Sequence, residues 1–333
     1  MAAEPVRLPR RPWAVLFSLT QLILLKFPVQ VMNPGLDDSW RSVLAYCAHQ
    51  HMQFGKDIIF TYGPLGYLHS YIHSGWNFTA KIIWEIVFAA LTAAAAVAVG
   101  VRLPGRITRA VFFITFWTTS AAVCPVGPDP IYLFCIVALA SWMIRAEGRR
   151  DQALLAGALA LGVLSLTKFT FATLSTAAIG TVCLVEVVRG NPKRAAWAAS
   201  CYLAGFLASW LACGQAISNL PAYVRASLEI VSGYKAMALA SDGRVLLLGL
   251  AVCGIFGVAL ALAAVGTGFQ HPDALPQVVF FAFTLFLAWK EGFVRADGHC
   301  LMVTLGRGEE RYFQKTLEVG FQDLAGLLPR PGA

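Results

Sequence analysis

The sequence predicts an all-α, polytopic integral membrane protein. Hydrophobic residues make up 58% of the 333-residue chain and charged residues only 13%, whereas soluble domains are usually about 45–50% apolar. Long stretches without charge recur along the chain, and a membrane-crossing helix needs roughly 20 mostly apolar residues. Because a helix satisfies its own backbone groups inside a bilayer, we expect these stretches to be helical.

About nine such stretches qualify as candidate membrane-spanning helices. Proline, glycine or charged residues separate each one from the next. The first is not followed by a small-residue cleavage site, so we interpret it as an uncleaved anchor. The candidate spans are residues 13–31, 82–101, 110–126, 130–144, 152–167, 169–188, 195–217, 245–265 and 274–291.

Basic residues predict the orientation in the bilayer. They form short clusters in alternate connections, which the positive-inside rule assigns to the cytoplasm together with the N-terminus. The net charge of +8 is spread over these clusters instead of forming one patch, so we predict a lipid bilayer as partner and no nucleic acid. The clusters are Arg7, Arg10 and Arg11; Arg102, Arg106 and Arg109; Arg145, Arg149 and Arg150; and Arg189, Lys193 and Arg194.

The other alternate connections are predicted to lie on the extracytoplasmic side. They hold most of the polar residues that membrane anchoring does not explain, so one face is expected to carry the chemistry. We take residues 1–300 as one membrane domain and 301–333 as a polar C-terminal tail. The predicted extracytoplasmic segments are residues 32–80, 126–130, 166–169, 218–244 and 290–299.

The first outer loop begins with "NPGLDDSW". Asp37 and Asp38 are helix-capping residue types, and apolar residues follow at helical spacing, which predicts a short amphipathic helix on the membrane surface. Capping is worth about 1 kcal/mol and needs one such residue. Farther along, Gly63, Pro64 and Gly66 predict a rigid turn, with Lys56 and Asp57 just before it.

This loop resembles the first extracytoplasmic loop of the GT-C superfamily of integral-membrane glycosyltransferases, which includes dolichyl-phosphate-mannose protein mannosyltransferases and bacterial lipid-A aminoarabinose transferases. Those loops have an acidic residue after the first span, then an amphipathic helix and a Gly, Asp, Pro-Leu element. Residues 30–300 also resemble uncharacterised bacterial membrane proteins that share four motifs. Here they read "GLDDSW" (35–40), "FGKDIIFTYGPLG" (54–66), "LTK" (166–168) and "FVRADGH" (293–299).

The resemblance implies transfer of a hexosyl or pentosyl group from a polyprenyl-phosphate carrier to an acceptor outside a bacterial inner membrane. The acceptor is a cell-envelope glycan, lipid or protein. Asp37 would be the general base, with Asp38 as a cap or cation support. The leaving phosphate needs fixed cations. The resemblance further implies substrate or phosphate binding by Lys56, Asp57, Lys168, Arg295, Asp297 and His299.

Simpler interpretations stand beside these assignments. Lys168 could only extend to the membrane surface, Asp129 between two prolines could be an ordinary turn, and "FVRADGH" could be a charged loop. The eight scattered cysteines contain no CxxC pair, which favours buried thiols. We predict no cofactor, although Mg²⁺ or Mn²⁺ could bind Asp37 and Asp38. His69 and His73 could share a helix face, but no known metal-binding motif accompanies them.

Two functions therefore stay open, the glycosyltransferase and a non-enzymatic transporter, flippase or binding protein for a lipid-linked saccharide. No internal repeat of the kind common in transporters is visible, and the polar residues gather at one face, which favours the enzyme. The tail at 301–333 is polar where the similar proteins continue with apolar spans. It is either a genuine short tail or a truncated or aberrant end.

Overall fold

The computed structural model describes residues 10–29, 36–103, 105–123, 127–146, 150–233 and 274–293, with isolated positions at 247, 251, 254 and 257. Within these residues the protein is helical and contains no strand, which confirms the all-α prediction. The helices are α1 (Arg10–Leu24), α2 (Leu36–His49), α3 (Phe78–Gly100), α4 (Arg106–Val123), α5 (Asp129–Arg145), α6 (Arg150–Leu164), α7 (Phe169–Val188), α8 (Pro192–Ala212), α9 (Leu220–Gly233) and α10 (Ala274–Phe293); short 3₁₀ helices cover Gly66–His69 and Ile217–Asn219.

Three of these helices, α3, α7 and α8, are long and apolar enough to cross a membrane. They indicate a membrane protein. Helices occupy eight of the nine candidate spans, while 245–265 falls almost entirely outside the described residues. The number of spans stays a prediction, because several of these helices are shorter than the length that a crossing requires.

The main core forms where α5 packs between α3, α6 and α7. Tyr132 of α5 is 1% exposed and stacks between two rings, with centroid distances of 3.9 Å to Phe88 of α3 and 4.9 Å to Phe171 of α7. Its hydroxyl accepts a hydrogen bond of 2.6 Å from Nε1 of Trp84. This bond satisfies a polar group that burial would otherwise leave costly.

A second apolar cluster joins the first loop to the ends of α8 and α9. The helix α2 contributes Leu44, which is 3% exposed, while Val43 on its other face is 56% exposed. The predicted loop helix is therefore present, with one buried face and one exposed face. Its position on a membrane surface stays a prediction. The buried members of this cluster are Leu44, Phe54, Tyr62, Leu166, Trp210 and Tyr223.

Polar contacts also join two connections that the charge pattern assigns to the same side. Arg189 follows α7, and its Nη1 donates to the carbonyl oxygen of Ile144 near the end of α5 at 2.9 Å. Arg194 of α8 lies 3.0 Å from Asp151 of α6. The connections after α5 and after α7 therefore meet at one end of the bundle.

Glycine allows α6 and α8 to pack with their backbones in close approach. A Cβ atom on Gly162 would lie 2.5 Å from the carbonyl oxygen of Tyr202 and 2.6 Å from the amide nitrogen of Phe206. Both atoms belong to the α8 backbone, so no side chain can rotate away to make room. Small residues at such crossings are a usual way to pack helices in membranes.

We therefore expect Gly162→Ala to push these helices apart and to lower the free energy of unfolding by about 1–3 kcal/mol. Gly180→Ala is the matched control, because a Cβ there meets no atom within 4 Å; we expect a change within about 1 kcal/mol. SDS titration of detergent-solubilised protein, followed by far-ultraviolet circular dichroism, measures both. Equal stability of the two variants would contradict the close packing described here.

Candidate functional site

Two of the motifs found in the sequence meet in the structure. The turn at residues 61–66 runs against the "LTK" segment, with an antiparallel bridge between Tyr62 and Lys168. The amide of Leu65 donates to the carbonyl oxygen of Leu166 at 3.0 Å, and the amide of Phe169 donates to the carbonyl oxygen of Thr61 at 2.7 Å. The backbone hydrogen bonds thus fix segments that lie about 100 residues apart in the chain.

Two glycines of the turn are required because the turn lies so close to the backbone of the "LTK" segment. A Cβ atom on Gly63 would lie 2.4 Å from the carbonyl oxygen of Leu166, and one on Gly66 would lie 3.0 Å from the carbonyl oxygen of Thr167. Both neighbouring atoms are backbone atoms that cannot rotate away. "GPLG" is therefore used for close contact as well as for turning the chain.

A group of three charged or titratable side chains, the Asp129 cluster (His69, Asp129 and Lys168), lies at this junction. Asp129 is the first residue of α5, Lys168 precedes α7, and His69 ends the 3₁₀ helix of the loop. Oδ1 of Asp129 lies 2.6 Å from Nε2 of His69, and Oδ2 accepts a hydrogen bond of 2.9 Å from Nζ of Lys168. One carboxylate therefore ties together three separate segments.

Aromatic rings enclose the cluster. The imidazole of His69 lies 5.0 Å from the ring centroid of Tyr132 and 5.6 Å from those of Tyr62 and Phe171. Nζ of Lys168 lies 5.5 Å from the Tyr62 centroid and 5.8 Å from the Phe171 centroid. A cation near ring faces is stabilised by their negative electrostatic potential, so these rings favour the charged form of the lysine.

The electrostatics of the cluster are set by its pairing. The side chains of His69 and Lys168 are 6% and 11% exposed, and that of Asp129 is 28% exposed. Burial alone would raise the pKa of Asp129, but the Lys168 ammonium and then His69 lower it well below its ordinary range. Asp129 is therefore ionised at neutral pH, and its position at the start of α5 favours that charge further.

A pair of glutamine side chains, the amide clamp (Gln53 and Gln215), anchors the other end of the loop. Oε1 of Gln215 accepts from the amide of Phe54 at 2.8 Å, and its Nε2 donates to the carbonyl oxygen of Met52 at 3.1 Å. Oε1 of Gln53 accepts in return from the amide of Ala216 at 2.8 Å. The first loop is thus fixed to the connection between α8 and α9.

The helix α2 reaches the cluster through aromatic contacts. The ring of Trp40 lies 4.7 Å from that of Tyr62, whose other neighbours include Nζ of Lys168. Asp37 lies in the first turn of α2, three residues before Trp40. One helical turn rises about 5.4 Å, so the backbone of residue 37 is close to this aromatic contact. The side chain of Asp37 lies outside the part of the molecule that the structure describes.

The other predicted site residues lie in different surroundings. Asp38 lies 3.5 Å from Nη1 of Arg41, one turn along α2. Lys56 and Asp57 are exposed, and Oδ2 of Asp57 accepts the amide of Gln53 at 2.8 Å, so this carboxylate closes its own turn. The residues of the late motif, Arg295, Asp297 and His299, lie outside the described ranges.

Sequence reasoning placed Lys168 in the site but gave no role there to its two partners. The sequence leaves Asp129 open between a weaker candidate on the polar face and an ordinary turn, and it links His69 only with His73, as a possible metal pair. The structure separates the two histidines: His69 contacts Asp129, while the ring of His73 packs on Phe78 at 5.2 Å. The signal available was the presence of opposite charges, Asp129 and Lys168, at the ends of apolar segments on the same predicted face.

We expect Asp129→Asn to lower the free energy of unfolding by about 2–3 kcal/mol, because it removes the charge that pairs with Lys168. The control is Asp151→Asn, because the Asp151 carboxylate also lies near a basic side chain, that of Arg194, but is 69% exposed. This substitution should change the free energy of unfolding by no more than about 0.5 kcal/mol. The SDS titration used for Gly162→Ala measures both. A double-mutant cycle with Lys168→Met should show strong coupling, and an additive result would contradict the ion pair.

The penalty of Asp129→Asn should also depend on pH. Because the folded pKa of Asp129 lies below its ordinary value of 3.8, its ionised form stabilises the fold above that value, and the stabilisation fades as the pH falls below it. The loss of unfolding free energy caused by Asp129→Asn should be smaller at pH 3 than at pH 5 by roughly 1 kcal/mol. A penalty that is equal or larger at pH 3 would show that the negative charge is not what stabilises the cluster.

Comparisons with models of known protein families, with curated protein sequences and with solved structures found no match. No activity can therefore be transferred to this chain from a relative. What the site does has to follow from the chemistry of the Asp129 cluster and from the motifs that surround it.

Proposed function

We propose that the protein is a membrane glycosyltransferase that moves a sugar from a polyprenyl-phosphate carrier to an acceptor at the membrane face. The observation that carries the proposal is the meeting of residues 54–66 with residues 166–168 beside Asp129. Both are motifs shared with the uncharacterised bacterial membrane proteins that the chain resembles, and residues 54–66 also carry the resemblance to GT-C glycosyltransferases. Their contact supports a shared site, because it brings both motifs to the same cluster of charged side chains.

The position of the Asp129 cluster supports a lipid-linked substrate. Lys168 stands directly before α7, one of the three helices long enough to cross a membrane. A charge beside an apolar helix is costly to keep, and such residues, which are usually paired with each other, often mark substrate sites. A polyprenyl-phosphate donor has its charged group at this same boundary between hydrocarbon and water.

The proposed reaction is an inverting displacement at the anomeric carbon. The acceptor hydroxyl oxygen forms the new bond to that carbon as the bond from the carbon to the carrier phosphate breaks. The electron pair of the broken bond leaves with the phosphate oxygen. Asp37 is the proposed general base, which takes the hydroxyl proton. Its place in α2, one turn from Trp40, supports access to the same region as Lys168.

Lys168 is the proposed cation for the leaving phosphate, because negative charge grows on that group as the bond breaks. Asp129 orients the ammonium through its hydrogen bond of 2.9 Å, so less reorganisation is needed during the reaction. Arg295 and His299 are proposed as further phosphate ligands with Asp297 orienting them. The substrate is proposed to be bound also by Asp38, Lys56 and Asp57.

The test uses membranes that contain the full chain and a panel of radiolabelled polyprenyl-phosphate mannose, glucose and aminoarabinose. The measurement is the fraction of label that is no longer attached to the polyprenyl-phosphate carrier, with the donor separated from any other labelled lipid by thin-layer chromatography. We expect transfer from at least one donor, and a loss of about a hundredfold for both Asp37→Asn and Lys168→Met. Protein levels in the membrane are measured for every variant, so that a folding defect is recognised.

The matched controls are Lys193→Met and Asp151→Asn, which make the same chemical changes at exposed positions of α8 and α6. Both should retain the activity of the unchanged protein. Full transfer by Asp37→Asn would eliminate that residue as the base. Absence of transfer from every donor by the unchanged protein, in membranes that contain it folded, would count against glycosyl transfer itself.

A further inference from the structure

A lysine outside the Asp129 cluster is buried in the first turn of α3. The residue Lys81 is 1% exposed. Its Nζ donates to the carbonyl oxygen of Ser70 at 2.5 Å, to Oγ of Ser70 at 3.1 Å and to the carbonyl oxygen of Tyr67. Taking an ammonium group out of water is costly, so such a side chain needs this full set of acceptors.

The acceptors of Lys81 lie on both sides of His69. Tyr67 belongs to the 3₁₀ helix Gly66–His69, and Ser70 directly follows it. The last carbonyl groups of a helix have no partner within the helix, and a cation at that end satisfies them and offsets their partial negative charge. Lys81 therefore caps the short helix whose final residue contacts Asp129.

The start of α3 is itself fixed to the loop. Oδ1 of Asn77 accepts from the amide of Ser74 at 2.9 Å, and Asn77 is fully buried. Glu85, one turn beyond Lys81, is 7% exposed and lies on the same face of the helix. Lys81 thus extends from the start of α3, which is fixed to the loop at Ser74, and holds the loop again at Tyr67 and Ser70.

We propose that Lys81 is a positioning residue, whose ammonium group fixes the backbone on both sides of His69 and so keeps the imidazole against Asp129. The other contacts of the His69 ring are to Tyr62, Tyr132 and Phe171. These ring contacts are weakly directional compared with charge-assisted hydrogen bonds. Without Lys81 the bundle can keep its packing while His69 loses its fixed place.

The test measures the accessibility of His69 without any enzymatic assay, so its result is independent of the proposed transferase. Purified protein in lipid nanodiscs is treated with diethyl pyrocarbonate, which modifies accessible imidazoles, and peptide mass spectrometry gives a rate for each histidine. His49 and His51 are exposed and serve as internal references. In the unchanged protein, His69 should react far more slowly than either of them.

We expect Lys81→Met to raise the modification rate of His69 about tenfold, because the loop loses hydrogen bonds to a charged group. Lys81→Gln, which keeps two N–H donors, should give a smaller increase. The control Ile83→Met adds a methionine to α3 at a side chain that is 57% exposed and should change nothing. The rates of His49 and His51 should stay constant in every variant.

Three outcomes would overturn the proposal. The first is a folded Lys81→Met variant with His69 as protected as before. The second is a parallel rise at His49 and His51, which would mean that the whole loop region has loosened. The third is failure of both Lys81 variants to fold, because Lys81 would then be needed for the entire bundle and would have no specific part in placing His69.

Discussion

The arrangement of the end of the bundle that holds the first loop depends on the pairing of Asp129 with Lys168 and His69. Asp129 starts α5, Lys168 precedes α7 and His69 ends the 3₁₀ helix of the loop. Aromatic rings surround His69 and Lys168, and an unpaired charge would be unfavourable there. Pairing them forces the first loop, the start of α5 and the start of α7 to one point. The backbone bridge between Tyr62 and Lys168 forms at the same point and reinforces this pairing.

Around this point the glycine turn, the aromatic rings and Lys81 have complementary roles. Gly63 lets the turn approach the "LTK" backbone, the rings exclude water from the paired charges, and Lys81 fixes the loop from the side of α3. Low polarity makes each charged contact stronger and each missing partner more costly. A site assembled in this way is arranged in advance by its own contacts, which is what the proposed electrostatic stabilisation of a leaving phosphate requires.

The sequence was most informative about the helices, because long apolar stretches allow few alternatives. The helix α7 covers residues 169–188, the bounds that apolarity and its flanking residues predicted. Lys168 could be chosen as a site residue because a charge at the end of an apolar stretch is unusual. Asp129 and His69 could not be paired with it from sequence alone, since their meeting depends on how α5, α7 and the loop pack in three dimensions.

The amide clamp has a consequence for how the protein responds to acid. Gln53 and Gln215 hold the loop to the connection after α8 with neutral groups only, whereas Asp129 holds it with charges. Protonation of Asp129 in strong acid removes the charge from one attachment, but hydrogen bonds between amides do not change with pH. The loop therefore has one attachment that strong acid weakens and one that it leaves intact.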